Sequence, residues 1–525
     1  MKFNLKVTNP FRTVNHEGAE AFALTPELKL YTAVATTSLS DQFYETGNER
    51  LARIQGLVAQ VAQANPKFVA QLAVYAREQM YLRSVPLALT VELAKLCRGN
   101  DLVARLTARV VQRADEIAEL LACYQLANGR QVADNQSVKS ASARPGNRKK
   151  LNRLSKQLQK GLAVAFNKFD EYQFAKYDRE AEVKLRDALF LVHPKAKDAA
   201  QQAIFDKIAN RSLATAYTWE TELSALGQGQ FADEEAKALA KAEKWEELVL
   251  CGKLGYMALL RNLCNLLKTG QLSHEALGRV CDTLADARQV AKAKQMPFRF
   301  LAAYRELQAV ASGQVGQVLS ALETAVLHSV ANLRGFDEKT RVVVAADVSG
   351  SMQYPISAMS KVQNFDIGLV LAMLLQNRCA NVVTGMFGDQ WKVIQVPKTN
   401  ILANVMEFRR REGEVGYATN GHLVVQDLLD RRYVADKVML FTDCQLWDTG
   451  GQANALAQVW AAYKAQVAPR AKLYLFDLAG YGTTPLDTRA GDVYLIAGWS
   501  DKVFDVLAAI EEGRNALHLV QQIEL

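Results

Sequence analysis

From about Glu49 to Ala331 the apolar residues recur at helical spacing almost throughout. Leu51, Ile54, Leu57, Val58 and Val61 form one stripe, and Phe68, Leu72, Val74, Tyr75 and Met80 another. Leu254, Met257, Leu260, Leu263 and Leu266 form a third. Asn65-Pro66 and Val85-Pro86 mark breaks between helices, because proline fits the first turn of a helix and not its interior. Short antiparallel helices with small connectors predict an α-solenoid of the HEAT type, although no fixed-period repeat is visible. Residues 1–47 are mixed in pattern and read as a segment that wraps the domain following it.

Around Gly335 the pattern changes to strands alternating with helices. Arg341–Ala346 reads as a buried parallel strand and Ile356–Asn377 as a long helix. Asn381–Phe387 and Trp391–Val396 read as a strand pair, the second an antiparallel edge. A helix over Gly421–Arg431, a strand over Lys437–Phe441, a helix over Ala453–Ala465 and strands over Lys472–Leu478 and Val493–Ile496 follow, with a last helix from Lys502. This is the pattern of a doubly wound α/β sheet, in which ligands bind at the carboxyl ends of strands near a topological switch point. The chain is therefore expected to be multidomain: an all-α HEAT-like helical-repeat solenoid over residues 1–335 and an α/β domain over 336–525.

The α/β region carries the clearest candidate chemistry. Asp347-Val348-Ser349-Gly350-Ser351 directly follows the first apolar strand and offers one carboxylate and two hydroxyls from a single turn. These are hard oxygen ligands, suited to Mg²⁺, Mn²⁺ or Ca²⁺ rather than zinc. Thr419 and Asp443 follow in order on later loops. The series Asp347, Ser349, Ser351, Thr419, Asp443 resembles the metal-ion-dependent adhesion site of von Willebrand factor A domains. One divalent cation, Mg²⁺ first among them, is the expected cofactor. The blander alternative is a Ser-rich loop that only caps the next helix.

Composition narrows the class. With 525 residues, half of them hydrophobic and 22% charged, the chain is long enough for two or three globular domains. No run of eighteen apolar residues marks a membrane span, and the first residues lack the apolar region of a signal peptide. Seven scattered cysteines without a Cys-x-x-Cys pair fit reduced thiols and a cytoplasmic location. The net charge of +8 is unevenly spread. From Phe336 onward Lys and Arg number 18 against 21 Asp and Glu, whereas before it they number 45 against 34. The helical half is the half expected to meet a polyanion.

Between Asn135 and Phe169 there is no acidic residue and there are nine basic ones, among them Lys139, Arg144, Arg148, Lys149, Lys150, Arg153, Lys156 and Lys160. A Ser-, Pro- and Gly-containing stretch gives way to a predicted helix. On it Lys149, Arg153, Lys156 and Lys160 fall within about 40° of one another, with Leu151, Leu154, Leu158 and Leu162 opposite. A solvated face ordinarily mixes acids with bases, because like charges one turn apart weaken a helix. An uncompensated cation row points instead to phosphates, as in A-form or single-stranded RNA. A second cluster, Lys176, Arg179, Lys184, Arg186 and His193, is interspersed with acids and equally fits an ordinary charged surface; His193 before Pro194 also fits a plain helix end.

These features together resemble the Ro autoantigen family, whose helical module is called the TROVE domain and is followed by a von Willebrand factor A domain. Ala258-Leu259-Leu260-Arg261-Asn262-Leu263 is similar to the Leu-Arg-Asn-Leu turn of that module. Lys176-Tyr177 followed by Leu191-Val192-His193-Pro194 resembles its Lys-Tyr and Ser-His helix pair. Ala293–Leu301 resembles the segment before its closing helix. The resemblance implies a toroid of HEAT-like helices closed by the metal-binding domain. Small noncoding Y RNA would lie on the outer surface, and single-stranded 3′ ends of misfolded or precursor RNA would enter the central hole. It implies RNA contacts at Lys176 and His193. One departure is Glu180, where the family carries a base.

The expected function is thus a noncoding-RNA-binding ribonucleoprotein scaffold for RNA quality control or 3′-end processing. It is expected to be a monomer with no membrane partner, and family members suggest an exoribonuclease tethered through the RNA. It is not expected to be an enzyme: there is no phosphate loop, Gly-x-Ser-x-Gly elbow or His-Glu-x-x-His. A hydrolase built on Asp347 and Asp443 would lack an obvious general base. The alternative function is a protein-binding adaptor, with a partner carboxylate completing the metal's coordination and the solenoid as scaffold.

Overall fold

The computed structural model describes residues 11–37, 39–128, 154–178, 180–268, 272–329, 339–357, 360–447 and 455–525. They group into two compact units. One contains residues up to 54 and 222–519; the other contains 55–221 and 520–525. The expected combination of a helical N-terminal region and a C-terminal α/β sheet domain is present. No described helix is long and apolar enough to cross a membrane.

The first unit is built on a six-stranded sheet. Its strands are β3 (Arg341–Asp347), β4 (Asn381–Phe387), β5 (Trp391–Val393), β6 (Lys437–Thr442), β7 (Lys472–Asp477) and β9 (Val493–Ala497), in the order β5-β4-β3-β6-β7-β9. All neighbours are parallel except β4 and β5. β3, β6 and β7 are continuous apolar runs because helices cover both faces of the sheet. The chain first adds strands on one side of β3 and then crosses to β6 on the other. The switch point therefore lies at the carboxyl ends of β3 and β6, where the loops of Asp347 and Asp443 begin.

A second, three-stranded sheet joins β1 (Arg12–Val14), β2 (Glu20–Ala23) and β8 (Thr483–Thr484). The N-terminal segment, read from the sequence as wrapping the helices after it, thus pairs with a strand more than 450 residues away. Arg50 secures the same attachment. Its guanidinium is fully buried, binds Glu45 at 2.9 Å and the Thr36 carbonyl at 3.0 Å, and also donates to the Ala479 carbonyl. Gly480, at φ +66°, is required there, since a Cβ would lie 2.3 Å from Thr36 Oγ1.

Two details depart from the sequence reading. The helix expected from Ile356 begins at Asn364. Instead Pro355 and Gln363 form a bridge, Ile356 N–H donates to the Val362 carbonyl, and Asn364 N–H donates to the Tyr354 carbonyl. Asp366 then caps the helix by accepting from Gln363 N–H at 2.9 Å. The helix Ile401–Arg410 was not anticipated. Its preceding residue, Asn400, sits at φ +61° and makes no capping bond. The free N–H groups of Leu402 and Ala403 are taken by Glu323, from a distant helix, at 3.0 and 2.8 Å.

The second unit is helical. Asn65 accepts from Phe68 N–H and Pro66 occupies the first turn of Pro66–Glu78, and the helix Ser84–Leu96 places Pro86 in its first turn, as the Asn-Pro and Val-Pro breaks predicted. A buried ion pair, Arg77 with Glu116 at 2.7 Å, ties helices together, and Glu116 also accepts from Gln112 and Arg113 N–H. The helices Leu102–Val110 and Lys156–Phe166 approach closely at Gly161, where a Cβ would meet Thr107 Cβ at 2.4 Å.

Candidate functional site

The end of β3 and the loop after β6 bring two carboxylates and two hydroxyls to one buried place. Asp347, Ser349, Ser351 and Asp443 are each at most 4% exposed. Asp347 Oδ1 accepts from Ser349 N–H at 2.8 Å, and Oδ2 accepts from the Thr442 hydroxyl at 2.6 Å. The Ser349 and Ser351 hydroxyls are 3.3 Å apart. Asp443 Oδ1 accepts from Gln445 N–H at 2.9 Å, whereas Oδ2 is buried without a hydrogen-bond partner. Cys444, next in the chain, is held at φ +61°, a strained value for a residue with a side chain.

Burial raises the carboxyl of Asp347 above the ordinary range, and the charge of Asp443 adds to it, against opposing hydrogen bonds from Thr442 and Ser349. Burial likewise raises Asp443, with the Ser351 hydroxyl and Gln445 N–H opposing and the charge of Glu17 adding. Two desolvated carboxylates, adjacent hydroxyls and one orphaned oxygen form a donor set that fits a hard divalent cation. Asp347, Ser349, Ser351 and Asp443 would hold it directly or through water. Thr419 is placed beside the same loop but engaged elsewhere: it accepts from Trp447 N–H at 2.8 Å and donates to the Trp447 carbonyl at 3.1 Å.

A hairpin turn and a tyrosine near this place were not foreseen from the sequence. The turn between β1 and β2, residues 15–19, lies against the loop after β6. Asn15 Nδ2 donates to the Leu446 carbonyl at 2.9 Å, and His16 N–H to Gln445 Oε1 at 2.9 Å. Glu17 follows, at the tip, and accepts a hydrogen bond from the Tyr44 hydroxyl. Burial, the Glu17 bond and the charge of Asp443 all raise the Tyr44 phenol, and the Ser351 hydroxyl opposes them. No local signal marks these residues, because their role depends on pairing between the two ends of the chain.

The basic candidates fall differently. Lys139, Arg144, Arg148, Lys149, Lys150, Arg153 and Arg179 lie outside the described residues. Leu154 and Ser155 are not helical and the described helix starts at Lys156, so of the expected cationic row only Lys156 and Lys160 lie on a described helix. Serine competes for backbone hydrogen bonds and favours a helix boundary over its interior.

Lys156 and Lys160 are exposed on the first turns of that helix. Between them Gln159 donates to the Val192 carbonyl at 3.0 Å, which brings both lysines near exposed His193 at the end of Leu185–Val192. His193 is itself a left-handed helix cap, φ +49°, so the helix-end reading holds for its backbone. Lys176 is exposed with its ammonium 5.6 Å from the Tyr177 ring centre. Lys184 pairs with exposed Glu180 at 2.6 Å, so the departure at position 180 directly masks one candidate. Arg186 lies over the Phe190 ring at 5.3 Å, and that ring is 49% exposed. Phe190 and exposed Lys195 extend the surface beyond what the sequence singled out. Lys168, one of the nine bases, is structural: its ammonium donates to the Val111 carbonyl at 3.1 Å, and burial lowers its pKa.

The charge imbalance is also present when the chain is divided by structural unit. The helical unit, residues 55–221 and 520–525, holds 26 Lys and Arg against 17 Asp and Glu, a net of +9. The rest of the chain holds 37 against 38, a net of −1.

Comparison with known proteins agrees with this architecture. The TROVE domain matches residues 27–237 and 218–318, and the Ro60 vWA domain matches residues 341–510. The Ro (RSR) protein of Deinococcus radiodurans has a similar fold, with a TM-score of 0.60 and 17% identity over 92% of this chain and 99% of that one. Telomerase protein component 1 of Rattus norvegicus is 25% identical over 334 residues, 49% of this chain and 12% of that protein. Its Mus musculus counterpart is 46% identical over 88 residues, 17% of this chain and 3% of that protein. The chain therefore spans only a small part of these two relatives. With the TROVE match covering more than half of its length and the Ro60 vWA match covering the α/β sheet, the chain belongs to the Ro family.

Proposed function

We propose that the protein binds noncoding RNA through its basic helical unit. The observation that carries this reading is the sequence's excess positive charge, +9, over residues 55–221 and 520–525, most of it on residues 129–153, which lie outside the described residues. Within it Lys156, Lys160 and His193 are exposed and near one another. Phosphate contacts by such cations supply affinity that depends little on sequence. Arg186 on Phe190 adds a planar cation and a ring beside it, a surface on which unpaired bases stack. Family membership supports a small structured RNA of the Y class on this surface, and unpaired 3′ ends of misfolded or precursor RNA as further ligands. An exoribonuclease would then be a partner held through the RNA.

In this reading the α/β domain carries one divalent cation, Mg²⁺ first, held by Asp347, Ser349, Ser351 and Asp443, with Thr419 nearby. The cation would supply charge neutralisation and an acceptor position for an oxygen ligand. The chain's own residues provide a dry, preformed cradle and need perform no chemical step.

Sequencing the RNA that co-purifies with the intact protein tests the proposal. A reproducible small structured RNA, lost at high salt and reduced by Lys156→Gln with Lys160→Gln, is expected. Protein free of RNA under low-salt purification, or RNA retained equally by the double variant and at high salt, would overturn it.

A further inference from the structure

Among the described residues of the helical unit, three large aromatic side chains are exposed: Tyr172, Phe190 and Tyr217. Two of them share one place. Tyr172, 48% exposed, lies in the helix Glu171–Tyr177, and its hydroxyl donates to the Tyr217 carbonyl at 3.3 Å. Tyr217, 39% exposed, lies in the loop 211–218 that follows the helix Ala199–Asn210. Glu171, beside Tyr172, ties down the same loop: it accepts from Ala214 N–H at 3.3 Å and from Lys207 Nζ at 2.6 Å. The helix and the loop are thus pinned together by polar contacts, while much of each tyrosine stays in water.

Cations flank the pair. Lys176 follows Tyr172 by four residues, on the same helix face, and is exposed. Arg211 opens the loop as a left-handed helix cap, φ +56°, and is exposed too. No acid occurs between Asp206 and Glu220, and Glu171 is neutralised by Lys207. Asp178 and Glu180 follow beyond the helix end, with Glu180 paired to Lys184. Exposed rings interleaved with cations suit unpaired nucleotides: any base stacks on an aromatic face, and the phosphates between bases meet the cations. A duplex presents bases that are already stacked, so it gains nothing from such rings.

We propose that Tyr172 and Tyr217 form a stacking platform for unpaired nucleotides of a bound RNA, with Lys176 and Arg211 taking the flanking phosphates. The platform adds two stacking side chains to Arg186 and Phe190, which lie on the helix Leu185–Val192. Because every base has a face to stack, it selects the state of the strand and not its sequence: a single-stranded loop or end over a duplex. This inference rests on the RNA-binding reading of the helical unit.

The test measures binding of the full chain to an oligouridylate of about ten nucleotides and to a blunt RNA duplex, over a range of salt concentrations. Tyr172→Leu and Tyr217→Leu are each expected to weaken oligouridylate binding roughly 10-fold and to leave duplex binding unchanged. The slope of log affinity against log salt should stay at the wild-type value, because neither change removes a charge. Tyr172→Phe, which loses the bond to Tyr217 but keeps the ring, should retain most of the affinity. With 4-thiouridine in the oligonucleotide, photocrosslinks to wild type should map to Tyr172 or Tyr217 by mass spectrometry. Should a leucine variant melt lower than wild type, the crosslink decides: attachment at either tyrosine supports the platform and its absence from both overturns it. Unchanged oligouridylate affinity in either leucine variant, or equal losses for oligouridylate and duplex, would overturn the platform while leaving the RNA-binding reading standing. Wild type that binds neither probe at low salt would remove both.

Discussion

Arg305, on the helix Pro297–Gln308, forms a two-bond ion pair with Asp366, on the helix Asn364–Arg378, with Nη1 to Oδ2 at 2.7 Å. Asp366 is fully buried and also receives Arg409 at 2.8 Å, so one carboxylate holds two guanidinium groups. It joins the helices before the α/β region to the helices that cover the sheet. Removing Asp366 leaves two partly buried cations without a counter-charge, which costs about 3 kcal/mol or more for a buried pair. Asp366→Ala is expected to lower the first urea transition of the intact protein by that amount. A change below about 1 kcal/mol would show that water replaces the pair.

Loss of the cation cradle should appear as lost linkage rather than lost fold. A ligand that binds the folded state raises stability with its concentration. Wild type is expected to melt progressively higher as Mg²⁺ is raised, and Asp347→Ala to melt at one temperature throughout. RNA affinity should be unchanged in this variant, because the basic surface lies in the helical unit. A Mg²⁺-dependent melting temperature in Asp347→Ala would place the cation elsewhere.

Asp477, at the end of β7, predicts a pH dependence of opposite sense to the usual carboxylate. Burial raises its pKa from 3.8 to about 6, although Gly480 and Ala479 N–H groups bond its Oδ1. Between these values the folded state holds the proton and the unfolded state has released it. This carboxyl therefore stabilises the fold most fully below about pH 4 and loses that contribution as pH rises through about 6. Asp477→Asn, which cannot ionise, should remove up to about 1.4 kcal/mol per pH unit of this fall. The comparison is urea unfolding of wild type and variant in EDTA at several pH values from 4 to 7. Parallel curves would mean that Asp477 stays ionised in the fold.

For the basic surface, Lys156→Gln with Lys160→Gln keeps helix propensity nearly constant and avoids the buried Leu158 and Leu162. Each lost phosphate contact should make log affinity against log salt shallower by up to about 0.9, the duplex DNA value. Structured RNA should bind more weakly, while Lys184→Gln has a smaller effect because Glu180 already screens that ammonium. An unchanged salt slope in the double variant would identify these lysines as solvated surface and move the RNA site elsewhere.

What short-range chemistry controls was legible along the chain. The apolar runs of β3, β6 and β7 could be read because parallel strands buried on both faces need no alternation. Asn65-Pro66 announced a helix start because the cap and the proline act within one turn. Asp347, Ser349 and Ser351 share a single loop, so their convergence was legible before any tertiary contact. Contacts between distant segments set the rest. Glu323 caps Leu402 and Ala403 across nearly 80 residues, so the helix Ile401–Arg410 carries no local start signal. Ser155 ends the continuity that a helical wheel assumed through Lys156. Asn15 and His16 reach the loop after Asp443 from a hairpin whose strand β2 pairs with β8, and long-range strand pairing leaves no trace in the spacing of either strand.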